Sequence, residues 1–383
     1  MKTKKLVSFI AAVTLIVTSI TGCGSKASSA DVKEIKIGAM LPLTGDIATF
    51  GQSAKNGLEL IAEEVNKKGG IDGKTVKFVY QDDENKPASS ANVTQKLIND
   101  EKVVALIGSI ASSCSIADGP IATENKIPMV TPTSTNPKVT TQGGDYVFRA
   151  CFIDPFQGTV LAKFASQDLK ATTAAVLYDV ANDYSKGLAE FFKANFEKAG
   201  GKVVAYETYN TGDQDFNAQL TKIKGTNPQV LLLPDYYQTV GIIAKQARAA
   251  GITATFLGGD GWDSPELFTI GGEAVNNGYF SNHYSPDDTS KEVQDFIAAY
   301  KAKYNATPDA LAALSYDAAK ILLTAIDKAD SLDGAKIAEA LKATNGNFVS
   351  GAVTYDKDRN PVKGAVIIKT ENGKQKFEKK VNP

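Results

Sequence analysis

Short apolar runs alternate with amphipathic segments along most of the chain. Residues 32–41 and 76–80 are rich in β-branched side chains and predict strands. Between them, residues 51–68 carry apolar side chains at spacings of three and four and end beside a glycine pair, which predicts a helix. Residues 103–107 (VVALI) are apolar throughout, as in a strand buried on both faces. Alternating strands and helices of this kind predict right-handed βαβ crossovers and a parallel sheet.

A helix that begins at Pro87 and a strand at residues 127–130 complete the first half, and the alternation begins again after residue 149. The second part contains predicted strands at residues 174–178, 202–206, 230–233 and 255–257 and a predicted helix at 184–198. A helix that ends in two glycines before a Val- and Tyr-rich strand occurs in both halves. Since one hydrophobic core rarely grows beyond roughly 250–300 residues, the 383-residue chain is predicted to form two similar α/β lobes.

The last hundred residues contain too few strands for a third sheet. They predict amphipathic helices at residues 290–304, 309–329 and 335–343, and hairpin strands within 348–369 with a turn at 356–361. These elements are therefore expected to return to the two lobes. The predicted boundaries are residues 33–153 and 285–355 for lobe 1, and residues 154–284 and 356–383 for lobe 2. A chain that crosses between lobes more than once predicts a hinge with a cleft beside it.

The N-terminal residues have the pattern of an export signal rather than of a folded element. Three lysines within residues 2–5 precede an apolar run at 6–20 and then the sequence ITGC, which ends at Cys23. This run is shorter than the ~20 residues that span a bilayer. Residues 1–22 therefore predict a lipoprotein signal peptide, Cys23 the lipid-modified residue and residues 23–32 a flexible tether. The alternative is an ordinary signal peptide with an incidental cysteine. We expect the protein to lie outside the cytoplasm, attached to a bacterial membrane only by the lipid on Cys23.

Charge and composition exclude several classes of function. The formal net charge is −1, so no basic excess indicates binding to nucleic acid. Beyond Cys23, the sequence has only one histidine, His283, and two cysteines, Cys114 and Cys151, which argues against a zinc site of the His/Cys type. Whether the two cysteines pair is left open. The sequence lacks GxSxG and GxGxxG motifs, and a lone histidine is more often structural. We expect no catalysis, no cofactor and no metal.

Three loops rich in small hydroxyl residues follow predicted strands. They are residues 42–45 (PLTG), 108–115 (GSIASSCS) and 131–137 (TPTSTNP). Ligands of open parallel sheets bind at the carboxyl ends of the strands, and backbone N–H groups at a helix N-terminus bind a carboxylate. Helix capping by the same hydroxyls is the alternative for each loop taken singly. Three converging loops favour a binding site.

The second half adds residues suited to an ammonium group. Asp260 lies in the glycine loop GGDGW directly after a predicted strand, with Trp262 two residues on as a wall or cation–π partner. Tyr236 and Tyr237 follow another strand and offer apolar area with a polar end. A turn aspartate and surface tyrosines are the alternatives. Together with the hydroxyl loops, these residues predict a ligand that carries both a carboxylate and an ammonium group.

The chain resembles the periplasmic binding proteins for branched-chain amino acids that serve ABC transporters. The resemblance extends from about residue 33 to the C-terminal hairpin. The stretches that carry it are IKIGAMLPLTG, NKKGGIDGK, YQDDENKP, ALIGSIASS, IPMVTPTSTNP, YVFRACFIDPFQG, LYDVANDYSKGLAEFF and QARAAGI followed by FLGGDGW. It implies an α/β type I periplasmic-binding-protein fold, with two Rossmann-like lobes of parallel sheet joined by a three-strand hinge.

The resemblance also implies a role for each site residue. Ser112 and Thr135 would bind the ligand carboxylate, whereas the Thr133 carbonyl and Asp260 would bind its ammonium group. Tyr236 would reach in from the second lobe. Phe50 and Tyr184 would pack around the ligand side chain. The pattern departs from the best-known leucine binders, which have Glu at the position of Asp260 and often Ala at that of Thr133. Asn85 and Ala111 stand where some relatives have a disulfide.

The expected function is that of a solute-binding receptor that delivers an amino acid, preferably a branched-chain or aliphatic one, to an ABC transporter permease. We expect a monomer that closes around its ligand. Binding proteins of this fold for aromatic acids, amides or urea, and a sensor for a separate signalling partner, are the alternatives. The preferred ligand, its affinity and the open or closed state are left open by the sequence.

Overall fold

Two large β-sheets with helices packed on their faces, and a separate two-stranded sheet, make up residues 33–382, the part of the chain that the computed structural model describes. The predicted signal peptide, the predicted lipid-modified Cys23 and the predicted tether lie outside the described residues. Within residues 33–382, no helix combines the length and the apolar composition needed to cross a bilayer.

The first sheet is built from the N-terminal third of the chain. Its strands are β1 (Glu34–Leu41), β2 (Thr75–Asp82), β3 (Ala105–Ile107), β4 (Met129–Thr131) and β5 (Val147–Arg149). They lie in the order β2-β1-β3-β4-β5, and every neighbouring pair is parallel. The side chains of β3, β4 and β5 are all buried, as expected for a sheet covered on both faces.

The second sheet is mixed rather than wholly parallel. The remaining strands are β6 (Thr173–Asp179), β7 (Lys202–Tyr209), β8 (Val230–Leu232), β9 (Thr255–Gly258), β10 (Gly278–Asn282), β11 (Asn345–Phe348), β12 (Gly351–Thr354), β13 (Ala365–Glu371) and β14 (Lys374–Val381). The second sheet has the order β14-β13-β10-β9-β8-β6-β7, while β11 and β12 pair only with each other. Strands β6 to β10 are parallel to one another, whereas β13 is antiparallel to both β10 and β14.

The helices for which a position was predicted (α1, α2, α6, α10, α11 and α12 below) lie close to it. They are α1 (Ala48–Lys67), α2 (Pro87–Asn99), α3 (Ser112–Glu124), α4 (Lys138–Gly143), α5 (Asp154–Lys163), α6 (Asp183–Lys198), α7 (Asn217–Thr226), α8 (Tyr237–Ala249), α9 (Glu266–Gly271), α10 (Lys291–Tyr304), α11 (Ala310–Ala329) and α12 (Gly334–Lys342). A π-helical turn, Phe164–Asp168, extends α5, and short 3-10 segments occur at Asp260–Trp262 and Gly272–Val275.

Helix α11 is the most deeply buried helix near the site. Its N-terminus is capped by Asp309, whose Oδ1 accepts a hydrogen bond from the N–H of Ala312 at 2.9 Å. A Cβ atom at Gly57 of α1 would lie 2.3 Å from the Ala312 carbonyl oxygen, so only glycine permits this close approach. The contact fixes the first turn of α11, which supplies part of the cavity wall described below.

The chain passes between the two sheets three times within residues 33–382. The first passage follows β5, the second follows β10 and the third leads from β12 to β13. This agrees with the predicted number of connections. The lobe boundaries drawn within these passages, at residues 153/154, 284/285 and 355/356, stay predictions.

The predicted hairpin within residues 348–369 forms only in part, as a single antiparallel bridge between Tyr355 and Pro361. Strand β13 pairs instead with β10 and with β14, which follows it after a turn at Asn372 and Gly373. The expected turn at 356–361 does exist, since Asp356 Oδ1 accepts from the N–H groups of Asp358 and Asn360, but it lies in the third passage. Strand β14 was not predicted because its composition is rich in lysine. Exposed edge strands carry such charged side chains, which prevent pairing with other chains.

Candidate functional site

A cavity lies at the carboxyl ends of strands from both sheets; we refer to it as the central cavity. The predicted site residues that line it are Phe50, Ser112, Thr133, Tyr184, Tyr236 and Asp260. It is also lined by Ile110, Gly261, Asn282, His283, Ala310, Leu311 and Leu314. Loops that are far apart in the sequence therefore meet where parallel sheets usually bind ligands.

One side of the central cavity is made by the two hydroxyl loops of the first sheet. Ser112 is the first residue of α3, and its Oγ accepts a hydrogen bond from the N–H of Asn136 at 3.2 Å. Thr133 Oγ1 donates to the Ile110 carbonyl at 2.9 Å. These bonds join the loops after β3 and β4. A helix N-terminus and hydroxyl groups together form a site that favours a carboxylate.

A buried arginine holds the second of these loops from behind. The Arg149 guanidinium donates to the carbonyls of Ser134 and Asn136 and, at 3.3 Å, to Thr140 Oγ1. Thr135 lies between the two anchored carbonyls and is fully buried; its Oγ1 makes no hydrogen bond of ordinary geometry in residues 33–382, although it lies close enough to the Asp154 carboxyl to oppose the rise that burial causes in the pKa of that group. A buried hydroxyl without a well-formed hydrogen bond is unusual, so Thr135 is a candidate for contact with a ligand.

Asp260 forms the opposite, acidic side of the central cavity. Its Oδ1 accepts hydrogen bonds from Gln157 Nε2 at 2.7 Å and from the Tyr184 hydroxyl at 2.9 Å. Its Oδ2 lies 3.0 Å from His283 Nε2. The carboxylate is thus held by neutral donors, and the structure gives it no lysine or arginine partner within residues 33–382. A partly buried carboxylate of this kind can pair with an ammonium group.

Aromatic rings form the wall between the two polar sides. Tyr184 stacks on Tyr236 with centroids 5.3 Å apart, and Phe50 meets Tyr236 edge-on at 6.0 Å. Burial, and then the neighbouring Asp260, raises the pKa of Tyr184 well above its ordinary value, so its hydroxyl stays a neutral donor. The rest of the wall is aliphatic and is supplied by Ile110 and by Ala310, Leu311 and Leu314 of α11.

Hydrogen bonds cross the cleft between elements of the two sheets. Asp183, at the start of α6, accepts from Ser113 Oγ at 3.2 Å and pairs with Lys138 at 2.9 Å, and its carbonyl accepts from Asn136 Nδ2 at 2.7 Å. Thr49 Oγ1 and Ser264 Oγ lie 3.1 Å apart. These contacts draw the two sides of the cleft together over the central cavity.

Two predicted site residues do not line the central cavity. Thr135 lies within the loop just behind Thr133, as described above. Trp262 is buried elsewhere in the core: its Nε1–H donates to the Leu233 carbonyl at 2.9 Å, and its ring contacts Phe280. Tyr237 packs against Phe50 from the outer side, with centroids 5.0 Å apart.

No sequence pattern indicated that His283 or the leucines of α11 are site residues. In a sequence, a lone histidine and an apolar helix both resemble ordinary core residues. His283 is recognised as a site residue only because it lies beside Asp260 in the folded chain. Cys114 and Cys151 are buried free thiols. Within residues 33–382, no group of three or more His, Cys, Asp or Glu side chains is arranged to hold a metal ion.

Comparisons with known proteins match nearly the whole described chain. A family model described as "periplasmic binding protein" matches residues 34–375. The leucine-, isoleucine-, valine-, threonine- and alanine-binding protein of Pseudomonas aeruginosa is 33% identical over 340 residues, 88% of this chain and 90% of that protein.

Two solved structures are similar in both fold and sequence. A leucine-binding protein from Thermotoga maritima is 43% identical with a TM-score of 0.87, over 91% of this chain and 99% of that one. A branched-chain amino acid transporter substrate-binding protein from Streptococcus pneumoniae, solved with isoleucine, is 35% identical with a TM-score of 0.86, over 92% of this chain and 100% of that one.

Proposed function

The chain belongs to the periplasmic binding protein family, and from this membership we propose that it is the solute-binding receptor of an ABC importer for an α-amino acid. A protein of this family acts outside the cytoplasm. The preferred ligand is a branched-chain or other aliphatic amino acid, in keeping with the similar proteins named for leucine and solved with isoleucine. The protein binds and releases its ligand without catalysis.

The observation that carries this proposal is the separation of two opposite polar ends by an apolar wall. The hydroxyl loops and the N-terminus of α3 face the ligand carboxylate, whereas Asp260 faces its ammonium group. Both charged ends of a zwitterion lose water when a cleft closes, so each needs a compensating partner. Ile110, Leu311 and Leu314 then receive an aliphatic side chain.

Ligand contacts on both sides of the cleft drive closure about the three passages between the sheets. Ser112 and Thr133 belong to the first sheet's loops, and Asp260 and Tyr236 to those of the second. A ligand that touches both sets favours the closed arrangement by its differential affinity for the two states. The contacts of Asp183 with Ser113, Asn136 and Lys138 join elements of the two sheets and so stabilise the closed arrangement.

Aromatic acids, amides and urea are the competing ligands for this fold. None of them carries an ammonium group, and each would leave the Asp260 carboxylate in a closed cleft without a cation. Leaving a buried charge unpaired costs several kcal/mol. The central cavity therefore favours an α-amino acid over these compounds.

We further propose how the receptor is attached to the membrane and to what it delivers its ligand. Cys23 carries the lipid that anchors the protein to the outer face of the membrane, and residues 23–32 form the tether. The protein acts as a monomer and delivers its ligand to a membrane permease. Radiolabelled palmitate incorporation, lost in a Cys23→Ser variant, tests the anchor.

We expect leucine, isoleucine and valine to stabilise the protein more than any other amino acid. The protein is first stripped of ligand by unfolding and refolding, and thermal unfolding is followed with each of the twenty amino acids in turn. A ligand at about 1,000 times its dissociation constant adds about 4 kcal/mol to the free energy of unfolding, which raises Tm by several degrees.

Benzoate, acetamide and urea serve as controls at the same concentrations. A shift of Tm with one of these controls, and with no amino acid, would overturn the proposed ligand class while leaving the fold and the family unchanged.

A further inference from the structure

His283 contacts the acidic side of the central cavity although no motif marks it. It is the only histidine in the sequence and directly follows β10. Its side chain is 1% exposed, and its Nε2 lies 3.0 Å from Asp260 Oδ2. The imidazole stacks on Phe152 with centroids 3.7 Å apart, which fixes the plane of the ring. The residue is therefore held in one orientation beside the carboxylate.

The contacts of the ring select one neutral tautomer. A carboxylate can only accept hydrogen bonds, so the proton lies on Nε2 and is donated to Asp260. Nδ1 is buried and has no hydrogen-bond partner in the described part of the chain. A proton on Nδ1 would then be buried without an acceptor, which is costly. Burial lowers the pKa of His283 below its ordinary value of 6.5, against the opposing effect of Asp260.

We propose that His283 is the positioning residue of the ammonium site: its neutral imidazole holds the Asp260 carboxylate in place, and its protonated form competes with the ammonium group of the ligand for that carboxylate. The inference rests on the proposed function, since it requires a ligand with an ammonium group. Gln157 and Tyr184 occupy Oδ1, so the imidazole and the ligand share the side of the carboxylate that remains.

Competition for one carboxylate links ligand binding to the protonation of His283. Two cations beside one carboxylate repel each other, so a bound ammonium group lowers the pKa of the imidazole below its value in the free protein. The affinity for the ligand is then at its maximum at pH values above the pKa of His283 in the free protein. It falls by up to tenfold for each pH unit below that pKa, until the bound-state pKa is reached. Acidification therefore weakens binding.

Other charged groups that face His283 act in opposite directions. Beside Asp260, Lys363 in the third passage lowers the pKa of the imidazole, whereas Asp263 after the 3-10 segment raises it; both effects are smaller than those of burial and Asp260. Several buried carboxyl groups elsewhere also titrate near neutral pH, among them Asp235 and Asp309, whose pKa burial raises to about 7. The test must therefore observe His283 itself.

A single histidine allows the imidazole to be followed directly by NMR in the untagged wild-type protein. The imidazole resonances are titrated between about pH 4.5 and 8, without ligand and with saturating leucine. We expect an Nε2–H neutral tautomer in the free protein and a pKa lower by at least about one unit with leucine, which corresponds to a tenfold linkage. An Nδ1–H tautomer, or a pKa that leucine does not change, would overturn the proposal.

Two variants test the positioning role. The side-chain amide of His283→Gln can reach the place of Nε2, whereas that of His283→Asn reaches only the place of Nδ1. At about pH 8 we expect His283→Gln to bind leucine within about threefold of the wild type and His283→Asn to bind at least tenfold more weakly. The loss of affinity on acidification should be smaller in both than in the wild type.

The outcomes separate this inference from the proposed function. Equal affinities for the two variants, or a pH profile of the wild type that survives in His283→Gln, would overturn the role of His283 while leaving an amino-acid receptor intact. A wild-type protein that binds no amino acid at any pH would overturn the proposed function, and this inference with it.

Discussion

Replacing Asp260 by Ala is expected to weaken the binding of leucine by about 2–5 kcal/mol, or about 30- to 5,000-fold. The closed cleft buries the ligand ammonium, and the truncation leaves that cation without its carboxylate. The donors Gln157, Tyr184 and His283 lose their acceptor as well, so stability also falls. Titration calorimetry measures the affinity, and thermal unfolding confirms that the variant is folded at the temperature used.

Two further variants test whether the loss of affinity comes from the charge of Asp260 rather than from its shape or from the loss of any buried carboxyl group. Asp260→Asn keeps the size of the side chain and removes the charge, and we expect it to lose most of the affinity that Asp260→Ala loses. Asp118 is also a buried carboxylate, bound by Ser90, Thr94 and Ser109 and not part of the cavity wall. Asp118→Asn should therefore alter stability with little change in affinity. A loss of less than tenfold in Asp260→Ala would refute the ammonium site.

Replacing Thr135 by Val is expected to weaken leucine binding by about 1.5–3 kcal/mol, or about 10- to 150-fold, the usual worth of a hydrogen bond to a charged group. The free energy of unfolding of the ligand-free protein should fall by less than in the matched control Thr131→Val, because Thr135 Oγ1 makes no hydrogen bond of ordinary geometry within residues 33–382 and only lies close to the Asp154 carboxyl. Calorimetry and thermal unfolding of the same preparation measure both quantities.

Thr131 offers the matched control for this substitution. Its Oγ1 donates to the Ser109 carbonyl at 2.7 Å and accepts from the N–H of Ser134 at 3.2 Å. Thr131→Val should therefore destabilise the ligand-free protein by about 1 kcal/mol or more. If Thr135→Val instead loses stability to the same degree and keeps its affinity, the hydroxyl of Thr135 has a structural role and does not bind the ligand carboxylate.

The sequence predicted several strands that are buried along their whole length. Residues 103–107 and 230–233 are apolar throughout, and the structure forms β3 and β8 there because both strands are covered on both faces. Amphipathic helices were also predicted to within a few residues, since a single apolar stripe determines which face packs on the sheet.

Strands with mixed composition were missed. Strand β10 (GYFSN) carries a glycine and two polar residues and has no continuous apolar run, although its side chains are mostly buried. Strand β14 (KQKFEKKV) is largely exposed, so most of its residues are charged or polar and it lacks the apolar pattern that predicts a strand. In both cases the strand forms because a neighbouring strand supplies its hydrogen bonds, and pairing with a distant partner cannot be deduced from local composition.

The clustering of candidate residues around the central cavity was predicted for residues that follow predicted strands, and it was missed for residues that approach only in the folded chain. Ser112, Thr133, Tyr236 and Asp260 each follow a strand, and the topology of a parallel sheet brings such loops together. His283 also follows a strand, but one that was not predicted. Its partner Asp260 is 23 residues away, and the contact between them appears only in the folded chain.

The most direct test of an α-amino acid site is a calorimetric comparison of leucine with two analogues, each of which lacks one charged end. The stripped protein is titrated with leucine, with 4-methylpentanoate, which lacks the ammonium group, and with 3-methylbutylamine, which lacks the carboxylate. We expect leucine to bind and each analogue to bind at least about 100-fold more weakly, because each leaves one polar side of the central cavity without its partner. Binding of 4-methylpentanoate as tight as that of leucine would contradict the account.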